Sequence, residues 1–138
     1  NMGDCRPSSF WLESNQTVIA PRVSLTDYFE LILDEWNAVD LIKMDTQGCE
    51  IGILEGADKL FDSNNDMSIL MEYWPYSLSR NNQNADWFFN FLQKSEYKIY
   101  DMTYGKSSEV NLEWVVNFYN QNVDVDTHIN LFLAKDEL

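Results

Sequence analysis

The chain has 138 residues, of which 45% are hydrophobic and 14% aromatic, and its formal net charge is −14. This length and composition suit one domain with its own core, while the negative charge argues against nucleic acid as a partner because such a surface repels phosphate backbones. No apolar run approaches the roughly 20 residues that a membrane-spanning helix needs.

The first part of the chain predicts a hairpin, a helix, a strand and a second helix. Residues 1–22 are weakly patterned and suggest the hairpin. Ser24 is a good helix N-cap, and apolar residues recur at helical spacing from there to Trp36. The apolar run at residues 39–44 predicts a buried strand, and residues 50–61 predict a helix.

The rest of the chain continues this alternation of strands and helices. It predicts three strands, two helices and a polar loop, in the order strand 68–73, loop 77–84, helix 85–94, strand 97–102, helix 109–121 and strand 127–135. Alternation of this kind favours an α/β fold, a sheet with helices packed on both faces. We find no domain boundary, so residues 1–138 are predicted to form a single domain.

Cysteine and histidine are too scarce for a disulfide scaffold or a histidine-rich metal site, with only Cys5, Cys49 and His128 present. We therefore expect free thiols and no bound metal. No amino-terminal leader is recognisable, so a cytoplasmic protein is expected. The last four residues, 135–138, spell an ER-retrieval signal, which we interpret as chance without such a leader.

Polar residues follow the first predicted strand directly. Asp45 comes after the apolar run, Gln47 and Gly48 form a turn, and Glu50 opens the next helix. In open α/β sheets, ligands bind outside the carboxyl ends of the strands. Asp45 is therefore the first residue expected to take part in chemistry, and Glu72, near the end of the next strand, is expected to face the same crevice.

Several segments resemble, in order along residues 23–138, the carboxyl-terminal half of FkbM-type methyltransferases, which are class I S-adenosylmethionine-dependent enzymes. The most specific match is residues 39–50 (VDLIKMDTQGCE), which is similar to the family's Val-Asp-Leu-Ile-Lys-x-Asp-x-x-Gly-x-Glu core. Weaker similarities lie at residues 23–29 (VSLTDYF), 53–57 (ILEGA), 69–72 (ILME), 97–100 (YKIY) and 129–131 (INL).

The resemblance implies a partial class I methyltransferase sheet, Rossmann-like in its layers. The family's seven strands are ordered 3-2-1-4-5-7-6, and the strands at 39–44, 68–73, 127–135 and 97–102 would form the block 4-5-7-6, with the last strand in sequence antiparallel to its neighbours. Strand 39–44, from Val39 to Met44, would then be an edge that apolar residues leave poorly defended. The hairpin in residues 1–22, a second copy of the chain in a homodimer, or a missing amino-terminal half would cover it.

The chain also departs from the family pattern. Thr26 stands where the family usually has an aspartate, and nothing before Gly48 matches the Gly-rich turn that cradles the cofactor, since the only earlier glycine is Gly3. A glycine turn is needed where backbone approaches such a ligand closely. S-adenosylmethionine is the cofactor that the family implies, but we assign no cofactor-binding residue and do not expect this chain alone to bind it.

Two carboxylates are candidate catalytic residues under this resemblance. Methyl transfer to oxygen needs an oriented acceptor and a group that takes its proton. Asp45 is the candidate for that base or for orienting the hydroxyl, and its alternative role is to cap the following helix. Glu50 would either reach the site or only complement the dipole of the helix that it opens.

Three residues are candidates for binding the acceptor: Gln47, Glu72 and Trp74. Their alternatives are solvent exposure for Gln47, a partner of Lys43 or of the Trp74 indole for Glu72, and packing for Trp74. Lys43 lies within an apolar strand, which predicts a buried lysine paired with a carboxylate, and contact with the substrate is its alternative role. His128 precedes the last strand and is interpreted as a base or as a surface residue.

Two functions follow from this pattern. The first is O-methyl transfer from S-adenosylmethionine to a hydroxyl of a sugar, lipid or natural product, with a small molecule or glycan as acceptor. The alternative is a non-catalytic half-domain that acts as a binding or oligomerisation module, because the Gly-rich turn is missing.

Overall fold

A computed structural model describes residues 21–33 and 39–137 of the chain. The hairpin predicted within residues 1–22 lies almost wholly outside these described residues. Within residues 21–33 and 39–137, no helix combines the length and the apolar character needed to cross a membrane.

The described chain alternates helices and strands, as the sequence predicts. Its helices are α1 (Leu25–Tyr28), which continues as a π-helix (Phe29–Leu33), α2 (Glu50–Glu55), α3 (Asp58–Ser63), α4 (Pro75–Arg80), α5 (Ala85–Lys94) and α6 (Leu112–Asn122). Its strands are β1 (Leu41–Met44), β2 (Ser68–Tyr73), β3 (Lys98–Asp101), β4 (Ser108–Val110) and β5 (Ile129–Ala134). A short 3₁₀ turn, Thr103–Gly105, links β3 to β4.

The strands form one sheet in the order β1-β2-β5-β3-β4. β1 and β2 are parallel, and β5 lies antiparallel between β2 and β3. This confirms the predicted block 4-5-7-6 and its antiparallel last strand. β4 is an addition that the sequence did not suggest, a three-residue strand paired antiparallel with β3 within the stretch predicted to begin a helix.

The core lies against one face of the sheet. Alternate residues of β2, namely Ile69, Met71 and Tyr73, are fully buried. They pack in one cluster with buried residues of four helices: Leu54 of α2, Leu78 of α4, Phe88 of α5 and Val115 of α6. The described residues place these helices on this face, so the expected second helical layer stays a prediction.

Helix α4 corrects the loop predicted at residues 77–84. Pro75 occupies the start of this helix, where its fixed φ suits helical backbone and its missing N–H costs nothing. Ser77 and Leu78 are buried within it. Ser77 is polar and is buried through a hydrogen bond, so residues 77–84 lack the apolar spacing that would have indicated a helix.

The predicted helix 50–61 is two helices, since α2 ends at Glu55 with Gly56 as its C-cap, and α3 begins at Asp58. The predicted helix that follows Ser24 is confirmed at its start, where the Ser24 side chain accepts a hydrogen bond from the Asp27 backbone N–H at 3.0 Å.

β1 is the end strand of the described sheet, as predicted. Its Leu41 is 53% exposed. The prediction that Lys43 is buried is wrong: its side chain is 61% exposed because β1 lies at the edge, although it does pair with a carboxylate. Coverage of this edge by a second copy of the chain stays a prediction.

Candidate functional site

Polar side chains from three strands meet at one end of the sheet. Asp45 follows β1 and Glu72 lies near the carboxyl end of the parallel β2, opposite Asn130 of β5. Because β5 runs in the opposite direction, its first residues lie at this same end, and His128 just before β5 comes next to β2. The topology thus brings three ionisable groups from distant parts of the sequence to the end of the sheet where ligands bind in open α/β folds.

Five side chains form a continuous line across this end of the sheet, which we call the polar row: Lys43, Asp45, Gln47, Glu72 and His128. Lys43 Nζ lies 3.4 Å from Asp45 Oδ2. Gln47 Nε2 lies 3.1 Å from Asp45 Oδ1 and 3.3 Å from Glu72 Oε2. His128 Nε2 lies 3.7 Å from Glu72 Oε1.

Gln47 is the centre of the polar row. Its amide nitrogen donates to both Asp45 and Glu72, whose carboxylates would otherwise repel one another. A glutamine amide has two N–H donors, and its oxygen can only accept. The two donors are therefore taken up within the row, which presents oxygen acceptors to an incoming molecule.

Glu50 holds the turn that carries Gln47. Its side chain is 0% exposed. One of its oxygens accepts from the Thr46 backbone N–H at 2.7 Å and from the Thr46 hydroxyl at 2.9 Å, and the other accepts from the Gly48 backbone N–H at 2.9 Å. The carboxylate thereby binds donors on both sides of Gln47. This geometry favours a positioning role for Glu50, and its predicted catalytic role stays a prediction.

The turn has an unusual backbone that α4 secures from the other side. Gln47 and Gly48 both have left-handed φ angles, 57° and 93°. The Ser77 hydroxyl donates to the Gln47 carbonyl at 2.7 Å, and the Asn81 amide donates to the carbonyls of Gln47 and Gly48, each at 3.2 Å. The left-handed conformation at Gln47, which costs a non-glycine residue energy, is thus held by hydrogen bonds from two helices.

Gly48 is packed against α4 rather than open to a ligand. A Cβ at this position would lie 2.2 Å from the Ser77 hydroxyl and 2.7 Å from the Asn81 amide nitrogen. A nucleotide-type cofactor needs open space beside a glycine turn, because the backbone of the turn must approach the cofactor closely. The glycine turn after β1 therefore does not fit a cofactor cradle.

An aromatic group flanks the polar row. Trp74 is buried, with its ring stacked on Tyr76 and edge-on to His128, each at a centroid separation of 6.2 Å. The Arg80 guanidinium lies 3.6 Å from the centre of the Tyr76 ring. Trp74 thus packs against Tyr76 and His128, and its predicted role in binding the acceptor stays a prediction.

The described cysteine, Cys49, is a weak nucleophile at this end of the sheet. Burial, and then the charge of Glu50, raises the pKa of the Cys49 thiol, which keeps it protonated and weakly nucleophilic. Residues 21–33 and 39–137 contain no group of three His, Cys, Asp or Glu side chains arranged to hold a metal ion.

The structure brings together three of the residues that the sequence singled out, Asp45, Gln47 and Glu72, and places Glu50 beneath them. Sequence reasoning missed Ser77 and Asn81, because both lie in the stretch interpreted as a loop. It also missed the contact of His128 with Glu72, which joins side chains from two strands that are distant in the sequence.

The family model described as the methyltransferase FkbM domain matches residues 3–102 of the chain. A search of curated proteins found no match. A search of solved structures found none either.

Proposed function

The chain belongs to the FkbM methyltransferase family, and we propose from this premise that the polar row binds the acceptor of a methyl transfer to oxygen. The observation that carries the proposal is the Gln47 amide, which links Asp45 and Glu72 at the ends of two adjacent parallel strands. The family match supports the reaction type, and the contacts of Gln47 support the proposed place of the acceptor.

The polar row is suited to a hydroxyl acceptor. Both N–H donors of Gln47 are engaged, and its oxygen and the carboxylate oxygens of Asp45 and Glu72 can only accept hydrogen bonds. A hydroxyl donates to such oxygens, whereas a phosphate or carboxylate would meet repulsion, which the net charge of −14 strengthens. Hydroxyl groups of sugars, lipids and natural products all meet this requirement.

Within this proposal, Asp45 accepts the hydrogen bond of the reacting hydroxyl. Its carboxylate is exposed and is held on one side by Lys43 and on the other by Gln47. Glu72 is more enclosed, with a side chain 13% exposed. Gln47 and Glu72 would bind the neighbouring parts of the acceptor and fix its orientation, which is a large part of the catalysis available to a transfer reaction.

S-adenosylmethionine is the methyl donor that the family implies. When bound, it supplies the methyl group. The packing of Ser77 and Asn81 against Gly48 leaves no cradle for it in the glycine turn after β1. The residues of the polar row are therefore assigned to the acceptor alone.

Replacing Gln47 by alanine tests this assignment. Gln47→Ala removes the amide between the two carboxylates, so we expect the KM for a hydroxyl acceptor to rise about tenfold, as the loss of a hydrogen bond to a charged group implies, with a smaller change in kcat. Steady-state methyl transfer with labelled donor measures both constants. The matched control is Gln93→Ala on the exposed surface of α5; an equal KM in the two variants would contradict a role for Gln47 in acceptor binding.

A further inference from the structure

The sheet has a second face, opposite the one that carries the core. Successive side chains of a strand point to opposite faces, so Leu70 of β2 and Phe132 of β5 lie on this second face, between neighbours that are buried in the core. Both side chains are half-buried. In the part of the chain that the structure describes, the four helices of the core pack against the other face. The second face therefore offers an apolar centre to a partner.

A row of five side chains crosses the second face, one from each strand, and we call it the cross-strand row. The register pairs Lys43 with Leu70, Leu70 with Phe132, Phe132 with Tyr100, and Tyr100 with Glu109. Residues that are paired across neighbouring strands point to the same face of the sheet. The row thus begins with a positive charge on β1, passes through three apolar or aromatic side chains, and ends with a negative charge on β4.

The two charges at the ends of the cross-strand row reach solvent. Lys43 is 61% exposed, and Glu109 is exposed as well. Lys43 lies 3.4 Å from Asp45 Oδ2, but an ammonium group has three N–H donors and can bind a second carboxylate. Neighbouring strands are about 4.8 Å apart, so about 19 Å separates the two ends of the row and the two charges cannot pair within one chain. On β3, Lys98 donates to Glu137 at 2.9 Å and so is already paired.

We infer that a second copy of the chain packs on the second face and forms a two-fold symmetric dimer. In such an interface, the same surface patch of the two copies meets itself. A two-fold axis parallel to the strands reverses the order of the strands, so that β1 of one copy lies over β4 of the other and β5 lies over β5. Lys43 of each copy then faces the partner's Glu109, and Phe132 faces the partner's Phe132 at the centre.

The order of the charges selects both the partner and the axis. A two-fold axis perpendicular to the strands would place Lys43 over the partner's Lys43, and like charges that face one another repel. With the parallel axis, two pairs of opposite charge flank an apolar centre. There Leu70 lies over the partner's Tyr100, a residue already buried in its own copy, and leaves water. Sheets that pack face to face keep their strands within about 30° of each other, as this axis allows.

The net charge of each copy, −14, opposes association. At physiological ionic strength, however, exposed charges that are separated by more than about 8 Å are largely screened from one another. The charges that meet directly across the interface therefore affect the association more than the acids elsewhere on the surface. The pairs of Lys43 with the partner's Glu109 are such direct contacts.

The dimer does not depend on the proposed function. Because the axis is parallel to the strands, the carboxyl ends of β1 and β2 in both copies lie at the same end of the dimer. The polar row lies at this end, so the rows of both copies lie beside the rim of the interface. Lys43 belongs to both the polar row and the cross-strand row, so the test measures association and not methyl transfer.

Charge reversal tests the inference on the whole chain. Sedimentation equilibrium from about 1 to 100 µM, the range in which weak interfaces assemble, is expected to show monomer and dimer in equilibrium for the wild type. Lys43→Glu and Glu109→Lys are each expected to raise the Kd about tenfold or more, because like charges then face one another. The double variant restores two pairs of opposite charge, so its Kd should return to within about threefold of the wild-type value.

Two exposed positions on helices of the core face supply controls that change the net charge equally. Lys94→Glu on α5 and Glu55→Lys on α2 should leave the Kd unchanged. A wild type that stays monomeric throughout this concentration range would overturn the inference and assign the second face to a different partner. Single reversals that associate like the wild type would also overturn it. So would controls that weaken association as much as the reversals, or a double variant that associates no better than the single variants.

Discussion

Replacing Gly48 by alanine is expected to lower the free energy of unfolding by about 3 kcal/mol, from the cost of left-handed backbone and of overpacking together. Gly48 has a φ of 93°, and a Cβ there would lie 2.2 Å from the Ser77 hydroxyl and 2.7 Å from the Asn81 amide nitrogen. The variant must therefore strain the backbone and push α4 away from the turn. Urea denaturation followed by circular dichroism measures the loss.

Gly105→Ala is the matched control for this substitution. Gly105 also has a left-handed φ, 69°, but an added Cβ would meet nothing within 4 Å. This variant carries the backbone cost alone, about 1 kcal/mol. If the two alanine variants were equally stable, α4 would not be packed against the turn as described.

Replacing Glu50 by alanine is expected to destabilise the fold by about 3 kcal/mol or more, since each buried donor left without an acceptor costs about 1–3 kcal/mol. Three donors bind the buried carboxylate: the Thr46 N–H, the Thr46 hydroxyl and the Gly48 N–H. Their loss releases the turn that carries Gln47, so methyl transfer should fall together with stability. Chemical denaturation and a transfer assay on the same sample measure both.

Two further variants make the Glu50 test specific. Glu55→Ala removes an exposed carboxylate at the other end of the same helix, and its effect should stay within about 0.5 kcal/mol. The stability of Glu50→Gln should lie between those of Glu50→Ala and Glu55→Ala. The glutamine amide keeps one accepting oxygen but turns an N–H group toward a donor. Equal stability of Glu50→Ala and Glu55→Ala would refute the role of Glu50 in holding the turn.

The elements with strong hydrophobic patterns could be predicted from the sequence. β2 (Ser68–Tyr73) and α5 (Ala85–Lys94) have the predicted bounds. In both, apolar residues at the period of the element pack into one core, so the pattern in the sequence directly reflects burial. The strand order β1-β2-β5-β3 was accessible only through the resemblance to the family.

One helix and the positions of two side chains could not be predicted from the sequence. α4 buries Ser77 through a hydrogen bond to the Gln47 carbonyl, and such burial leaves no apolar period to read. Lys43 was expected inside the sheet because its neighbours are apolar, but an edge strand leaves that side chain in solvent. His128 joins the site only through the antiparallel pairing of β5, which no local pattern contains.

In the candidate site, too, residues with a local sequence pattern could be predicted, whereas residues held by contacts between distant segments could not. Asp45 and Glu72 could be predicted because a polar residue at the end of an apolar strand is a local feature. Ser77 and Asn81 could not, because their role depends on how α4 packs against a left-handed turn. The sequence thus indicates which polar side chains lie at this end of the sheet, and the structure adds those that hold them in place.

The most direct test of the acceptor site is methyl transfer by this chain, with labelled S-adenosylmethionine and a panel of hydroxyl, amine and carboxylate acceptors. We predict label on oxygen, reduced about 100-fold by Asp45→Asn, as for the loss of a group that assists proton removal. Asp40→Asn, an exposed residue just before the same strand, should transfer at the wild-type rate. Equal transfer to oxygen by wild type and Asp45→Asn, or label on nitrogen or carboxylate alone, would contradict an acceptor site at the polar row.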